Sequence, residues 1–300
     1  MYAAIDLGTN TFHMIIVDVH NGRSTVVYRK RYFVKLAYDS VEEIGASGWQ
    51  RGLNAILSFK KSLGRFNIKK YRAYGTSIFR IAKNGKDYAD FLKNKSGINI
   101  SVLSGSEEAK LIFYGAKMAG ITDKGRNMII DIGGGSVEFI LTRGGDMIFE
   151  QSSQVGILEL YHRFDINSAQ TVESLAAIEQ YLYINTNALR EKLKGVAIDS
   201  LIGTAGSFDV LSSYMRARKK PNRNELSLNY FKNIYKSIAY TTDEERERIH
   251  WVPQERKKLI VFAFAIIDFA LKISGANLIR VTPYSMKEGM IWEMMNEDKN

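Results

Sequence analysis

Two aspartates, Asp6 and Asp131, stand at matching places in the stretches "AIDLGTNTFHMIIVD" and "IIDIGGGSVEFIL". Each follows a short apolar run of strand character and precedes a turn rich in glycine and hydroxyl residues. The first turn is Gly8, Thr9, Asn10 and Thr11; the second is Gly133, Gly134, Gly135 and Ser136. Glycine turns after strands present successive backbone N–H groups, and without a Cβ the oxygens of an anion can approach them closely. An aspartate at a strand end is a hard oxygen ligand suited to Mg²⁺, directly or through water. The chemistry these residues share is therefore the holding of a phosphate group and its metal ion. Neither turn is a P-loop, because no Gly-Lys-Ser/Thr follows. Neither is a dinucleotide fingerprint, because each leads into a strand rather than a helix.

Two further acids are placed to do chemistry. Glu107 and Glu108 open a helical stretch, "SEEAKLIFYGAKMAG". Adjacent helical residues point about 100° apart, so only one of them can face a bound ligand. Both also suit the first turn of a helix, where a carboxylate complements the dipole. Glu138 lies on the strand after the second glycine turn, either as a site acid or on the exposed side of an alternating strand. The four histidines, at 13, 20, 162 and 250, have no metal-ligand spacing, although His13 sits within the first motif.

The elements that must position these groups repeat. "YAAI", the turn "DLGTN", "FHMIIVDV", the hairpin signal Asn21-Gly22 and "STVVYRKRYFVKL" give strand, turn, strand, tight turn, strand. "RNMII", "DIGGGS", "VEFILTR", "GGD" and "MIFEQSSQV" repeat that order. Apolar positions Leu53, Ile56, Leu57 and Leu63 have a helical period, "YRAYGTS" reads as strand into turn, and helix pieces end at Gly97. "INISVLSG" reads as a strand. One helix is expected over 171–195, then the strand "AIDSLIG" and the turn "GTAGS". A long apolar helix is expected from Pro253 to about Ile273, then a strand at "NLIRVT" and a final helix. This duplication predicts two related α/β domains, 1–124 and 125–300, with the final helix, about 286–297, returning to the first.

Bulk properties narrow the partners. The net charge of +10, gathered in "YRKRY", "KKYR", "RARKKPNR" and "RKK", suits a polyanion. No aromatic-interleaved or zinc-finger pattern accompanies it, which argues against specific nucleic-acid recognition. Zero cysteines exclude disulfides, thiolate metal sites and cysteine nucleophiles. The apolar run "LIVFAFAII" is too short to span a bilayer, and "MYAAIDLGTN" has no basic leader region. A cytoplasmic protein that does not engage membranes is expected.

Six stretches in order, "DLGTNTFHMIIVD", "GTSIFRIAKNG", "LSGSEEAKLIFYGA", "IIDIGGGSVEFIL", "GTAGSFDVL" and "VTPYSMKEGMIWE", resemble the motifs of the exopolyphosphatase / guanosine pentaphosphate phosphohydrolase family, of the sugar kinase–Hsp70–actin superfamily. The resemblance implies two ribonuclease H-like domains of the actin-like ATPase fold, with mixed sheets flanked by helices and a cleft between domains. It also implies Mg²⁺ dependence, removal of a terminal phosphoryl group by water, and a possible homodimer. Asp6 and Asp131 resemble the metal-placing carboxylates, and Gly8–Thr11 and Gly133–Ser136 the two phosphate loops. Arg80 resembles a phosphate ligand, Glu108 the base for the attacking water, and Glu138 a second catalytic or metal-shell acid. Gly203, Thr204, Gly206 and Ser207 resemble the superfamily's third glycine turn, here expected to hold later phosphates. Ala205 and Ser207 depart from the commoner "GTGGT", and Lys287 stands where arginine is frequent. The implied substrate is inorganic polyphosphate, with guanosine pentaphosphate as the alternative. A kinase on the same fold, or a binding protein with little turnover, are more distant readings.

Overall fold

The computed structural model describes residues 1–20, 23–164, 169–204, 206–218 and 224–298. The chain divides into two compact units. The first comprises Met1–Met118, Gly133–Gly135 and Tyr284–Asn300; the second comprises Ala119–Ile132 and Ser136–Pro283. The seam in the chain falls earlier than the 124/125 boundary expected from the sequence. The connecting residues belong with the second unit: Thr122 is fully buried, and the Ile121 carbonyl accepts a hydrogen bond from Arg280 at 2.8 Å.

The first unit opens with β1 (Tyr2–Leu7), β2 (Thr11–His20) and β3 (Arg23–Phe33). Then come α1 (Ala46–Leu63), β4 (Lys70–Gly75), α2 (Ser77–Ile81), α3 (Gly85–Ser96), β5 (Ser101–Val102) and α4 (Gly105–Met118). The sheet order is β3-β2-β1-β4-β5, antiparallel between β1, β2 and β3 and parallel between β1, β4 and β5. Ala3, Ala4, Ile5 and Leu7 are all fully buried, so β1 is covered on both faces and reads as a continuous apolar run rather than an alternating one.

The second unit runs β6 (Arg126–Ile132), β7 (Val137–Arg143), β8 (Asp146–Ser153), α5 (Ile157–Phe164), α6 (Val172–Asn185) and α7 (Asn187–Leu193). It continues with β9 (Ser200–Thr204), α8 (Gly206–Ala217), β10 (Glu225–Ser227), α9 (Leu228–Ala239), α10 (Asp243–Glu247), α11 (Ile260–Ser274) and β11 (Leu278–Thr282). Its sheet order is β10-β11-β9-β6-β7-β8. With β6 in the place of β1 and β9 in the place of β4, this is the first sheet's arrangement with one extra edge strand. Helix α11 is apolar on nearly every side and is buried along its length, as such a helix must be.

The chain ends in α12 (Met286–Glu297), which belongs to the first unit and packs on α4. Two glycines permit that approach. A Cβ on Gly289 would collide with the Leu111 carbonyl, and one on Gly115 with the Ser285 carbonyl. Tyr114 and Trp292 stack across the same contact with centroids 4.2 Å apart. Helix α4 carries Glu107 and Glu108, so this packing fixes their position.

Several elements differ from their expected extents. The helix expected over 171–195 breaks at buried Thr186, whose φ is −123°. Its hydroxyl donates to the Leu182 carbonyl at 2.8 Å, and Asn185 donates to Tyr181; such side chains compete with helix hydrogen bonds. The helix expected from Pro253 begins only at Ile260, after a 3₁₀ turn at Gln254–Arg256. Lys257 there donates back to the Glu247 carbonyl, which holds the segment off the helix path. The strand expected at "INISVLSG" shrinks to Ser101–Val102, and α5 follows β8 where no helix was expected. The turn Asn21-Gly22 lies outside the described residues, although His20 and Arg23 pair across it.

Candidate functional site

The sequence-predicted residues fall into two sets, one in each unit. In the first, Asp6 lies near the end of β1, paired in register with His13 on β2 and Tyr74 on β4. The turn after it is closed by a bond from the Gly8 N–H to the Thr11 carbonyl at 3.0 Å. The Asn10 carbonyl accepts from Val34 and Lys35, each at 3.0 Å, and the Thr9 carbonyl from Leu36 at 2.8 Å. The segment behind the turn thus satisfies its carbonyl oxygens. Lys35 adopts a left-handed backbone with φ 46°, the sole non-glycine to do so among the described residues. Backbone strain of this kind persists where surrounding structure over-determines it and clusters at functional sites. Thr9 is buried, while Asn10 and Thr11 are half-buried. The Thr11 hydroxyl bonds His13 Nε2 at 2.9 Å.

Arg80 on α2 and Glu108 on α4 meet: the guanidinium donates to Glu108 Oε2 at 2.7 Å and to the Leu103 carbonyl at 2.9 Å. Their side chains are 20% and 10% exposed, so this is a largely desolvated ion pair rather than a surface one. A buried pair is costly to break from one side, because the survivor is left as an uncompensated charge. Glu107 has a different task. Its carboxylate accepts from both the Ser104 N–H and hydroxyl at 2.7 Å, and its own N–H donates to the Ser104 hydroxyl at 3.2 Å. Those bonds hold its pKa below the ordinary glutamate value and cap α4. One of two adjacent glutamates is a helix cap and the other is paired with arginine.

In the second unit Asp131 lies on β6, in register with Glu138 on β7 and Thr204 on β9. Glu138 is 2% exposed, which removes the reading of it as the outer face of a strand. One carboxylate oxygen, Oε1, accepts from the Ser136 hydroxyl at 2.7 Å and the Ser152 hydroxyl at 2.8 Å. Gly203 and Thr204 are buried at the end of β9, Gly206 and buried Ser207 begin α8, and Ala205 lies outside the described residues. Gly206 needs its glycine, with φ 49°. The second glycine turn is divided between the units: Gly133–Gly135 group with the first and Ser136 with the second.

Sequence reasoning passed over Arg256. It follows the 3₁₀ turn's Gln254, and a Cβ on Gly206 would lie 4.0 Å from its guanidinium. This brings a cation to the third glycine turn from 50 positions away in the chain. Only its membership of the basic run "RKK" marked it beforehand. Lys287, on α12, donates to the Ser285 hydroxyl at 2.8 Å.

Two α/β units, each built as strand, glycine turn, strand around a terminal aspartate, define the two-domain actin-like fold. The chain belongs to the Ppx/GppA phosphatase family, whose model matches residues 15–298. The crystal structure of an exopolyphosphatase from Cytophaga hutchinsonii is 28% identical and superposes with a TM-score of 0.92, over 99% of this chain and 98% of that one. A guanosine-5'-triphosphate,3'-diphosphate pyrophosphatase of Photobacterium profundum is 26% identical over 99% of this chain, which spans 60% of that relative's length. A Haemophilus influenzae relative, 24% identical, is matched over 97% of this chain and 90% of its own. The Ppx/GppA protein of Aquifex aeolicus, 19% identical with a TM-score of 0.81 over 100% of this chain and 98% of that one, shares the fold. No helix among the described residues is long and apolar enough to cross a membrane.

Proposed function

We propose that this chain is an exopolyphosphatase, hydrolysing the terminal phosphoanhydride bond of inorganic polyphosphate with a divalent cation bound. The observation that carries this reading is the buried Glu108 carboxylate held against Arg80, in the unit that also bears Asp6 and the Gly8–Thr11 turn. In the reaction a water oxygen bonds to the terminal phosphorus and the bond to the bridging oxygen breaks. Orthophosphate leaves, together with a chain shorter by one unit. Glu108 takes the water's proton, a role that contributes about 10²- to 10⁴-fold. Arg80 suits two tasks, orienting that carboxylate and presenting a planar fork to phosphate oxygens. Within the first unit the Gly8–Thr11 turn offers N–H groups to phosphate oxygens; within the second, the third glycine turn and Arg256 offer N–H groups and a guanidinium, and Glu138 orders Ser136. The net charge of +10 favours a polyanionic substrate.

The donor set suits Mg²⁺. Asp6 and Asp131 are each partly exposed, and no group of three or more His, Cys, Asp or Glu among the described residues is arranged to hold a metal ion. Mg²⁺ is commonly held by one or two carboxylates, with waters and substrate phosphates completing its shell. When bound it would neutralise charge on the phosphate oxygens.

A second reading, hydrolysis of the 5' terminal phosphate of guanosine pentaphosphate, breaks the same kind of bond and is favoured by the Photobacterium relative's name. Orthophosphate release from short polyphosphate, long polyphosphate and guanosine pentaphosphate, each with Mg²⁺ and with EDTA, separates the readings. Faster turnover of polyphosphate, lost in EDTA, is the expected result. Preference for the nucleotide supports the second reading, and no release from any of the three overturns both.

A further inference from the structure

Ser77, the first residue of α2, is 3% exposed, and its hydroxyl has no hydrogen-bond partner among the described residues. Leaving a buried hydroxyl unpaired is destabilising, so such groups call for an explanation. The surroundings supply one. A Cβ built on Gly135 would lie 2.6 Å from Ser77 Oγ and 3.4 Å from Thr9 Oγ1. Two hydroxyls therefore converge on the glycine turn at Gly135, and all three residues belong to the first unit. A side chain at 135 would clash with the Ser77 hydroxyl, so glycine lets the two approach.

The internal duplication points the same way. Tyr74 on β4 and Thr204 on β9 stand opposite Asp6 and Asp131, and three residues past each come Ser77 and Ser207. β4 and β9 hold equivalent places, each parallel to the strand that carries the aspartate. Ser207 was legible as part of a glycine turn; Ser77 is its counterpart in the first half, and it too is buried.

We propose that Ser77 is a phosphate-contacting residue: its hydroxyl donates to a non-bridging oxygen of the phosphoryl group held at the Gly8–Thr11 turn. With phosphate bound, the hydroxyl gains an acceptor. This rests on the phosphate-binding reading above.

The test compares Ser77→Ala and Ser77→Cys with the wild-type full chain. Thermal midpoints are measured with and without Mg²⁺ and orthophosphate, and orthophosphate release is measured from short polyphosphate. Ser77→Ala deletes an unpaired group, so its ligand-free midpoint stays level or rises. Its kcat/KM falls about 10- to 100-fold, the loss of one hydrogen bond to a charged group, and the orthophosphate-induced rise in midpoint shrinks. Ser77→Cys, a weaker donor of similar shape, falls between. Wild-type kcat/KM and midpoint shift in Ser77→Ala overturn the proposal, as does an activity loss matched by a lower ligand-free midpoint. A wild-type protein stabilised by orthophosphate but hydrolysing nothing overturns the hydrolase reading alone, and the midpoint shift then decides Ser77. A wild type with neither response overturns both.

Discussion

The first and second strand–turn–strand units are alike in frame and unlike in chemistry. Position by position, Asp6 matches Asp131, Thr11 matches Ser136, and His13 matches Glu138. The registers agree as well, with Asp6 opposite His13 and Asp131 opposite Glu138. In each half a hydroxyl bonds the titratable group two residues on, Thr11 to His13 at 2.9 Å and Ser136 to Glu138 at 2.7 Å. There the likeness ends. The imidazole is half-buried, whereas the carboxylate is 2% exposed and holds a second hydroxyl, Ser152. The first unit, through α2 and α4, adds the buried Arg80–Glu108 pair. The comparison teaches that the two halves repeat one strand–turn–strand scaffold, and that each carries a different titratable side chain at the matching position.

The asymmetry is broken most severely at Glu108. Glu108→Gln keeps shape and one acceptor for Arg80 but cannot take a proton, so orthophosphate release should fall about 10²- to 10⁴-fold. Substrate should still bind, measured by a polyphosphate-induced rise in thermal midpoint. Glu107→Gln, which alters only the helix cap, should cost far less activity. Equal losses in the two variants would mean that the division between cap and base is wrong.

Glu138 comes next. Glu138→Ala strands the Ser136 and Ser152 hydroxyls in a buried site, at about 1–3 kcal/mol for each group left unpaired. The thermal midpoint should drop and activity with it. Glu138→Gln keeps one oxygen as acceptor and should recover most of the midpoint. If Glu138→Gln also recovers full turnover, the carboxylate serves only to order Ser136, and its charge is not needed. His13 provides the matched measurement. His13→Gln retains a partner for Thr11 and should alter kcat/KM only a few-fold. A loss at His13→Gln as large as at Glu138→Ala would make the two halves chemically equivalent and overturn the contrast.

The scaffold was legible because its signals are local. A strand ending in aspartate, a glycine turn and a second strand can be read within about 13 residues, and the reading needs no partner elsewhere. The six motifs carried the family for the same reason. Contacts made at long range left no such mark. Arg256 reaches Gly206 from a segment whose helix was expected to start at Pro253, and that expected helix hid the 3₁₀ turn that delivers it. Ser77 carried no signal beyond a half-match to "GTAGS", since a missing hydrogen-bond partner is visible only in three dimensions. Glu138 read equally well as exposed, because a strand covered on both faces has no polar alternation to betray which side is solvent. The split of 171–195 at Thr186 turned on one side chain's bond to the preceding turn, weaker than the period that surrounds it.

The smallest effect tests how each unit is closed. The first unit's opening strand and β4 are tied to the chain's far end: Asp298 accepts from the Tyr2 hydroxyl at 2.5 Å and from Lys69, just before β4, at 2.8 Å, while Glu297 pairs with Lys70 and Arg72 on β4. The second unit's opening strand is tied within its own span, the Arg126 N–H donating to Asp199 at 2.8 Å. The Lys69 ammonium, and then the Tyr2 hydroxyl, lower the Asp298 pKa to about 2. A carboxylate depressed on folding contributes stability above its unfolded value, about 3.9, and loses it as pH falls through the folded value. Asp298→Asn should therefore lower the thermal midpoint slightly near neutral pH, and the difference from wild type should close between about pH 4 and pH 2. Exposed ion pairs are screened, so 1 M salt should also shrink the difference. A gap that persists at pH 2 or in salt would assign the loss to the Tyr2 hydrogen bond rather than to charge, and the tie between the chain's two ends would be a neutral one.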